Sequence, residues 1–122
     1  MKNLWKKIVM QLQEKTGMNI WIVDGQKIID FIGDVDKGMD SLQKNLSEEL
    51  KRMWKRKEKW RMLEGEEGIS IVIGQAKTKK SQAFYRMEKE KKMIIIEKES
   101  EFFTDEEKAW IQSAFYLLDK YF

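Results

Sequence analysis

The feature that most constrains this chain is a hairpin with apolar residues on both of its sides. The stretch NIWIVDGQKIIDFIG covers residues 19–33, and Asp24 and Gly25 between two β-rich runs predict a tight turn. Pairing across a two-residue turn predicts one face made of Ile20, Ile22, Ile29 and Phe31, and another made of Trp21, Val23, Ile28 and Ile32. A sheet that is apolar on both faces must be covered on both.

Helical spacing predicts elements that could provide this cover. Leu4, Trp5, Ile8, Val9 and Leu12 predict a first helix that stops at Thr16 and Gly17. A second helix is predicted over residues 41–59, with an apolar stripe of Leu42, Leu46, Leu50, Met53 and Trp54. Two more hairpins are predicted, over residues 60–74 and 83–98. The first turns at residues 65–68 and has Ile69, Ile71 and Ile73 on one face, and the second turns near residues 88–92.

The closing stretch FFTDEEKAWIQSAFYLLDKYF, residues 102–122, predicts a third helix that begins with a capping box. Thr104 is the expected N-cap, and Glu107 follows three residues later. The apolar stripe is wider than one small sheet requires, and no Gly or Pro ends the helix. We therefore expect a homodimer, a following domain, or both. The expected dimer interface is Leu4, Ile8, Trp110, Ala114, Leu117, Leu118 and Tyr121.

Composition argues against an enzyme. The chain has no cysteine and no histidine, which excludes disulfides, thiolate catalysis, cysteinyl zinc sites and the commonest general base. Gly74 and Lys77 lack the spacing of a phosphate-binding loop. Asp34, Asp36 and Asp40 lack the glutamate that closes a calcium loop, because Asn45 stands at the twelfth position. We expect no catalytic residues, no metal and no cofactor.

Nothing in the sequence predicts a membrane segment. Gln11 and Gln13 interrupt the apolar start well short of a signal-peptide core. No stretch approaches the roughly 20 apolar residues of a membrane span. We expect a cytoplasmic protein of one domain, residues 1–122, with no membrane partner.

The run KRMWKRKEKWR is the strongest local charge feature of a chain with 24 basic and 21 acidic residues. The basic patch consists of Lys51, Arg52, Lys55, Arg56, Lys57 and Lys59. Cations interleaved with aromatic residues can bind nucleic acid, and they can equally bind an acidic protein. The alternative is a solvated helix face whose aliphatic stems cover apolar surface, with Trp54 and Trp60 in the core.

The order of elements resembles a GAF domain, a sensory fold related to PAS domains. The resemblance covers nearly the whole chain, and the closing segment FFTDEEKAWIQSAFYLLDKYF is its most specific part. It implies an α+β fold with a six-stranded antiparallel sheet of order 2-1-6-5-4-3. The first and last helices would lie together on one face, where they commonly form a dimer interface, and the mid-chain helix and loops would lie on the other.

The resemblance also implies a function in signal transduction or transcription regulation, as a small-molecule sensor. Cyclic nucleotides are not supported as ligands, because Glu97 and Lys98 replace the family's Asn-Lys pair and Glu106 and Glu107 replace its Asp-Glu pair. The absence of Cys and His excludes bilin attachment and haem ligation by histidine. A small apolar or amphipathic ligand would be lined by Phe31, Leu50, Trp54, Trp60, Ile71, Phe84 and Ile95. The same side chains could instead fill the core.

Overall fold

The protein, described by a computed structural model over residues 4–34, 41–75 and 78–122, is an α+β fold with one antiparallel sheet. Asp36, Asp40 and Lys77, considered above for ligand loops, lie outside the described residues. The helices are α1 (Leu4–Thr16), α2 (Glu48–Lys55) and α3 (Asp105–Tyr121). The strands are β1 (Asn19–Val23), β2 (Ile28–Ile32), β3 (Trp60–Leu63), β4 (Ser81–Met87) and β5 (Lys92–Lys98).

The sheet has five strands in the order β2-β1-β5-β4-β3, so the prediction of six strands is wrong. The predicted order becomes this one when its fourth strand, over residues 69–73, is removed. The predicted hairpin over residues 60–74 is also wrong, because β3 pairs with β4. The hairpin of β4 and β5 is confirmed, with the chain turning between Met87 and Lys92.

Residues 69–73 form a loop because their backbone groups bond to side chains and to the segment before α2, and not to the backbone of a neighbouring strand. The side chain of Gln82 accepts from the Ile69 N–H at 2.8 Å and donates to the Ile69 carbonyl at 2.8 Å. The Ile71 N–H donates to the Gln75 side chain, and the Ile71 carbonyl accepts from Ser47. Ile71 is buried while Ile73 is 61% exposed, so the isoleucines do not share one buried face.

A β-bulge changes the face to which the end of β2 belongs. Val23 pairs with Ile28 but Ile22 pairs with Asp30, which leaves Ile29 as an extra residue. The turn lies one residue later than predicted, because the Asp24 N–H donates to the Lys27 carbonyl at 3.2 Å across Gly25 and Gln26. The predicted alternation therefore holds for Val23 and Ile28 and fails beyond the bulge. The predicted faces of Phe31 and Ile32 are exchanged, with Phe31 on the side of Trp21 and Ile32 on the side of Ile20.

Each face of the sheet carries its own core. On the terminal-helix face, α1 and α3 pack against the sheet, and the buried cluster includes Trp5, Val9, Leu12, Ile20, Ile22, Ala83, Tyr85, Ile94, Ile96, Ile111, Phe115 and Leu118. On the α2 face, α2 and the loops before and after it cover Trp21, Val23, Ile28, Phe84, Met93 and Ile95. Both faces are covered, as the two-sided hairpin requires.

Helix α2 is shorter than the predicted helix over residues 41–59. It begins after Ser47, whose hydroxyl accepts from the Leu50 N–H at 3.2 Å as an N-cap. Leu46 precedes the helix and is nevertheless buried, because it forms an isolated bridge with Val72. Leu46 therefore contributes to the core from a position before α2 that is not helical.

Helix α3 has the predicted capping box. The Glu107 N–H donates to the Thr104 hydroxyl at 3.1 Å, and the Thr104 N–H donates to the Glu107 carboxylate at 2.7 Å. Lys98, at the end of β5, donates to the same carboxylate at 2.7 Å. Thr104 and Glu107 thus fix the start of the helix and connect it to the sheet.

Candidate functional site

The predicted ligand-pocket residues lie mostly in the core of the α2 face. Leu50, Ile71, Phe84 and Ile95 are fully buried there, with Phe31 and Trp54 packed against them. The structure brings these six side chains together as packing partners. A ligand site among them stays a prediction.

Trp60 does not belong with this set. It pairs with Tyr85, which places its side chain on the terminal-helix face, and its ring packs edge-on against Phe115 at 6.2 Å. Its side chain remains 52% exposed because β3 is an edge strand. The sheet face on which Trp60 lies follows from the pairing of β3 with β4. The predicted hairpin over residues 60–74 gave β3 a different partner.

Trp54 holds the end of α2 to the sheet. The Arg86 guanidinium lies 4.5 Å from the centre of the Trp54 ring and donates to the Trp54 carbonyl. On another side, a β-carbon added to Gly25 would lie 2.7 Å from Trp54, so only a glycine permits this approach of the hairpin turn. A cation at the carboxyl end of a helix also interacts favourably with the helix dipole.

A buried ion pair connects the loop after β3 to the sheet. Lys80 and Glu97 are both buried, with Lys80 2% exposed, and their charged atoms lie 3.2 Å apart. Gln82 donates to the second Glu97 oxygen at 3.2 Å. The loop passes close above this group, because a β-carbon on Gly68 would lie 2.6 Å from the Lys80 side chain.

This cluster is not predicted from the sequence. Lys80 ends a basic segment that resembles an exposed loop, and nothing local distinguishes it from Lys79. Glu97 did carry a signal, since it shares a strand face with the buried Ile95. A carboxylate on an apolar face requires a partner, although the sequence does not say which one.

The predicted dimer residues divide into an exposed group and a buried group. Leu4, Trp110, Leu117 and Tyr121 are between 37% and 60% exposed, and Ile8 is partly buried. Ala114 and Leu118 are already buried within the single chain, in the core cluster of the terminal-helix face. We call Leu4, Ile8, Trp110, Leu117 and Tyr121 the helix stripe.

The members of the helix stripe lie along one side of the helix pair. Trp110, Leu117 and Tyr121 are seven and four residues apart, which places them on the same side of α3. The Lys15 ammonium lies 5.6 Å from the centre of the Trp110 ring, so the end of α1 is beside the start of α3. Leu4 and Ile8, at the other end of α1, then lie towards Leu117 and Tyr121.

The basic patch is largely exposed and partly neutralised. Lys51 pairs with Glu48 at 3.8 Å, Arg56 pairs with Glu58 at 3.9 Å, and Lys59 pairs with Asp119 of α3. Lys59 therefore lies apart from the α2 cations, next to the terminal-helix face. The patch is a mixed-charge surface, and its binding to nucleic acid or an acidic protein stays a prediction.

Asp119 also has a neighbour in the core. The Tyr85 hydroxyl donates to the Asp119 carboxylate at 3.4 Å. Burial, with the charge and hydrogen bond of Asp119, raises the pKa of Tyr85 to about 12. The phenol, which is protonated at neutral pH in any case, therefore also stays a hydrogen-bond donor at alkaline pH.

No family model matches the chain, and no curated protein is significantly similar to it. Among residues 4–34, 41–75 and 78–122, no group of three or more His, Cys, Asp or Glu side chains is placed to hold a metal ion. Within the same residues, no helix has both the length and the apolar character to cross a bilayer.

Proposed function

We propose that this chain is a non-enzymatic sensory or regulatory module, similar to GAF domains, that forms a homodimer through α1 and α3. The observation that carries the proposal is the helix stripe. Large apolar side chains on the outer side of two adjacent helices are the kind of surface that a partner covers. A second copy presents the same stripe, so a twofold dimer buries both stripes against each other.

The arrangement of the elements supports the sensory part of the proposal. The strand order matches the order implied by the resemblance apart from the missing fourth strand, and both terminal helices lie on one face. In such an arrangement, a change at the sheet reaches the dimer contact directly, because α1 and α3 pack on it. Signal transduction and transcription regulation are the processes that the resemblance implies for such a module.

The test is the oligomeric state of two matched lysine variants. Leu117→Lys places a charge in the helix stripe, while Ala109→Lys places the same charge on an exposed position of α3 outside the stripe. Light scattering after size-exclusion chromatography should give a dimer for the wild type and for Ala109→Lys, and a monomer for Leu117→Lys.

Circular dichroism should show the same helix content in all three proteins, because both substituted positions are solvent-exposed. A wild-type chain that stays monomeric at the highest soluble concentration would overturn the dimer proposal. A dimer that persists in Leu117→Lys would place the interface elsewhere.

A further inference from the structure

A groove lies between α3 and the edge strand β3, on the flank of α3 away from the helix stripe. Its volume is about 270 Å³, which suits a small ligand. The groove exists because α1 and α3 leave the outer strand of the terminal-helix face partly uncovered, so that Trp60 remains half-exposed. Its lining includes Lys59, Trp60, Tyr85, Phe115, Tyr116 and Asp119.

Aromatic rings form most of this lining. Trp60, Tyr85, Phe115 and Tyr116 are four of its seven residues. Phe115 packs between the other two inner rings, 5.0 Å from Tyr85 and 6.2 Å from Trp60, while Tyr116 is exposed at the rim. Ring faces of this kind attract cations through their electron-rich π surfaces.

The groove also contains a carboxylate that is held in place. Asp119 accepts a hydrogen bond from the Tyr85 hydroxyl, whose pKa is raised to about 12 by burial and by this carboxylate. The ammonium of Lys59 contacts the same carboxylate. The groove therefore already brings an ammonium group against Asp119 beside aromatic rings.

The contact between Lys59 and Asp119 can be replaced by a ligand. Both side chains are at least half exposed, at 58% and 50%. Ion pairs of such exposure are weak, because solvent screens them and two flexible side chains must be ordered. Lys59 precedes β3 and can turn into solvent without breaking the pairing of the strand.

We infer that this groove binds a small organic cation, an ammonium with apolar substituents, which replaces the Lys59 ammonium at Asp119 and lies over Trp60 and Tyr116. The inference deepens the proposed function, on which it rests, by naming a ligand class and a site on the terminal-helix face. The site adjoins α3, so an occupied groove contacts the helix that carries the stripe.

The test uses choline as the probe, with 3,3-dimethyl-1-butanol as its uncharged counterpart of the same shape. Each is titrated into ¹⁵N-labelled protein while the indole N–H signals are followed, with the Trp60 signal assigned from Trp60→Phe. Choline should shift the Trp60 signal saturably. The alcohol should bind more weakly by a factor of about five or more, because it lacks the charge. Equal binding of the two probes would overturn the inference.

Three variants sharpen the test. Asp119→Asn should weaken choline binding about fivefold by removing the charge partner, and Lys59→Gln should strengthen it about twofold by removing the internal competitor. Glu106→Gln, on an exposed position of α3 outside the groove, should leave it unchanged. Binding that weakens in Lys59→Gln, or persists undiminished in Asp119→Asn, would overturn the inference.

The two proposals can fail separately. Leu117→Lys should become monomeric and still bind choline, because Leu117 is not in the groove. A dimeric wild type that gives no Trp60 shift would overturn the cation site alone. A monomeric wild type that binds choline would overturn the dimer alone.

Discussion

The two faces of the sheet are covered in different ways. On the terminal-helix face, helices of 13 and 17 residues lie over the sheet and bury an apolar cluster. On the α2 face, a helix of 8 residues and two loops cover the sheet. Hydrogen bonds and ion pairs there add to the apolar contacts. A long helix provides enough apolar area to hold itself in place, whereas a short helix and loops do not.

On the α2 face, polar contacts hold both ends of α2 and the loop before β4 to the rest of the protein. Ser47 caps α2 and also donates to the Ser70 carbonyl, Arg86 holds the other end of α2, and the pair of Lys80 and Glu97 lies under the loop. The terminal-helix face has its polar connections at the margins of α3, from Lys98 to Glu107 and from Tyr85 to Asp119. We therefore expect the loss of a polar side chain to lower the free energy of unfolding more on the α2 face. On the terminal-helix face, we expect the loss of an apolar side chain to have the larger effect.

The largest effect is expected from Lys80→Ala. Removing the ammonium leaves Glu97 buried without its charge partner, which should lower the free energy of unfolding by about 3–5 kcal/mol. Lys79→Ala removes an exposed partner of Glu101 and should cost less than about 1 kcal/mol. Urea unfolding measures both. Similar costs for the two variants would contradict a large contribution of the buried ion pair to the stability of the α2 face.

Leu118→Ala tests the apolar side of the comparison. Leu118 is fully buried on the side of α3 that packs into the core, so its truncation should cost about 3 kcal/mol through lost contact and a cavity. The neighbouring Leu117 is 40% exposed, and Leu117→Ala should cost about 1 kcal/mol or less to fold. Thermal unfolding of both variants, at a protein concentration low enough to keep them monomeric, measures the difference in stability. Equal costs would contradict the arrangement of α3.

Arg86→Lys should loosen α2 without unfolding the sheet. The substitution removes the planar guanidinium that stacks on Trp54 and bonds to its carbonyl, at a cost of about 2 kcal/mol. Amide exchange should accelerate in Glu48–Lys55 and remain slow in β4 and β5. Arg52→Lys, an exposed change on the same helix, serves as the control. Uniform acceleration across the sheet would show that α2 has no independent attachment.

Thr104→Ala removes the N-cap of α3. The Glu107 N–H then loses its acceptor, which should cost about 1 kcal/mol. Thr104→Ser keeps the hydroxyl and should be nearly neutral. Equal stability of the two variants in urea would mean that packing alone fixes the start of α3.

The smallest effect concerns the pH dependence contributed by Glu107. Partial burial alone would raise the pKa of Glu107, but hydrogen bonds from Lys98 and Thr104 and the Lys98 charge lower it below the ordinary 4.5. The folded state thus favours the carboxylate. The resulting stabilisation is present above pH 4.5 and is lost as the pH falls through the folded-state pKa.

The stability difference between the wild type and Glu107→Gln should therefore shrink as the pH falls below 4.5. Thermal unfolding of both proteins across acidic pH measures it, with Glu106→Gln as the exposed control. A difference that grows towards acid would contradict the direction given for Glu107.

The sequence predicted what depends on local pattern. The helices at the two ends, the capping box, the first hairpin and the hairpin of β4 and β5 all follow from spacing and turn residues within about 20 positions. The α+β class with an antiparallel sheet follows from these. The need for cover on both faces came from the apolar residues of β1 and β2.

Of the errors in the sheet, two concern partners that are far apart in the chain, and a third concerns an irregularity within one hairpin. Ile69 and Ile71 alternate as in a strand, but Gln82 and Ser47 take their backbone groups. Trp60 lies on the same sheet face as Tyr85, with which it pairs. The face of Phe31 is changed by a bulge that the hairpin sequence does not predict. Local periodicity contains no information about such partners.

The buried position of Lys80 gives the protein a chemical reporter of its own motion. An acylating reagent reaches only accessible amines, so it should modify Lys79 at once, because that side chain is 64% exposed. Lys80, which is 2% exposed, should react only in molecules whose loop has lifted from the sheet. The ratio of acylation at these adjacent lysines, read by peptide mass, would then count openings of the α2 face without any engineered label.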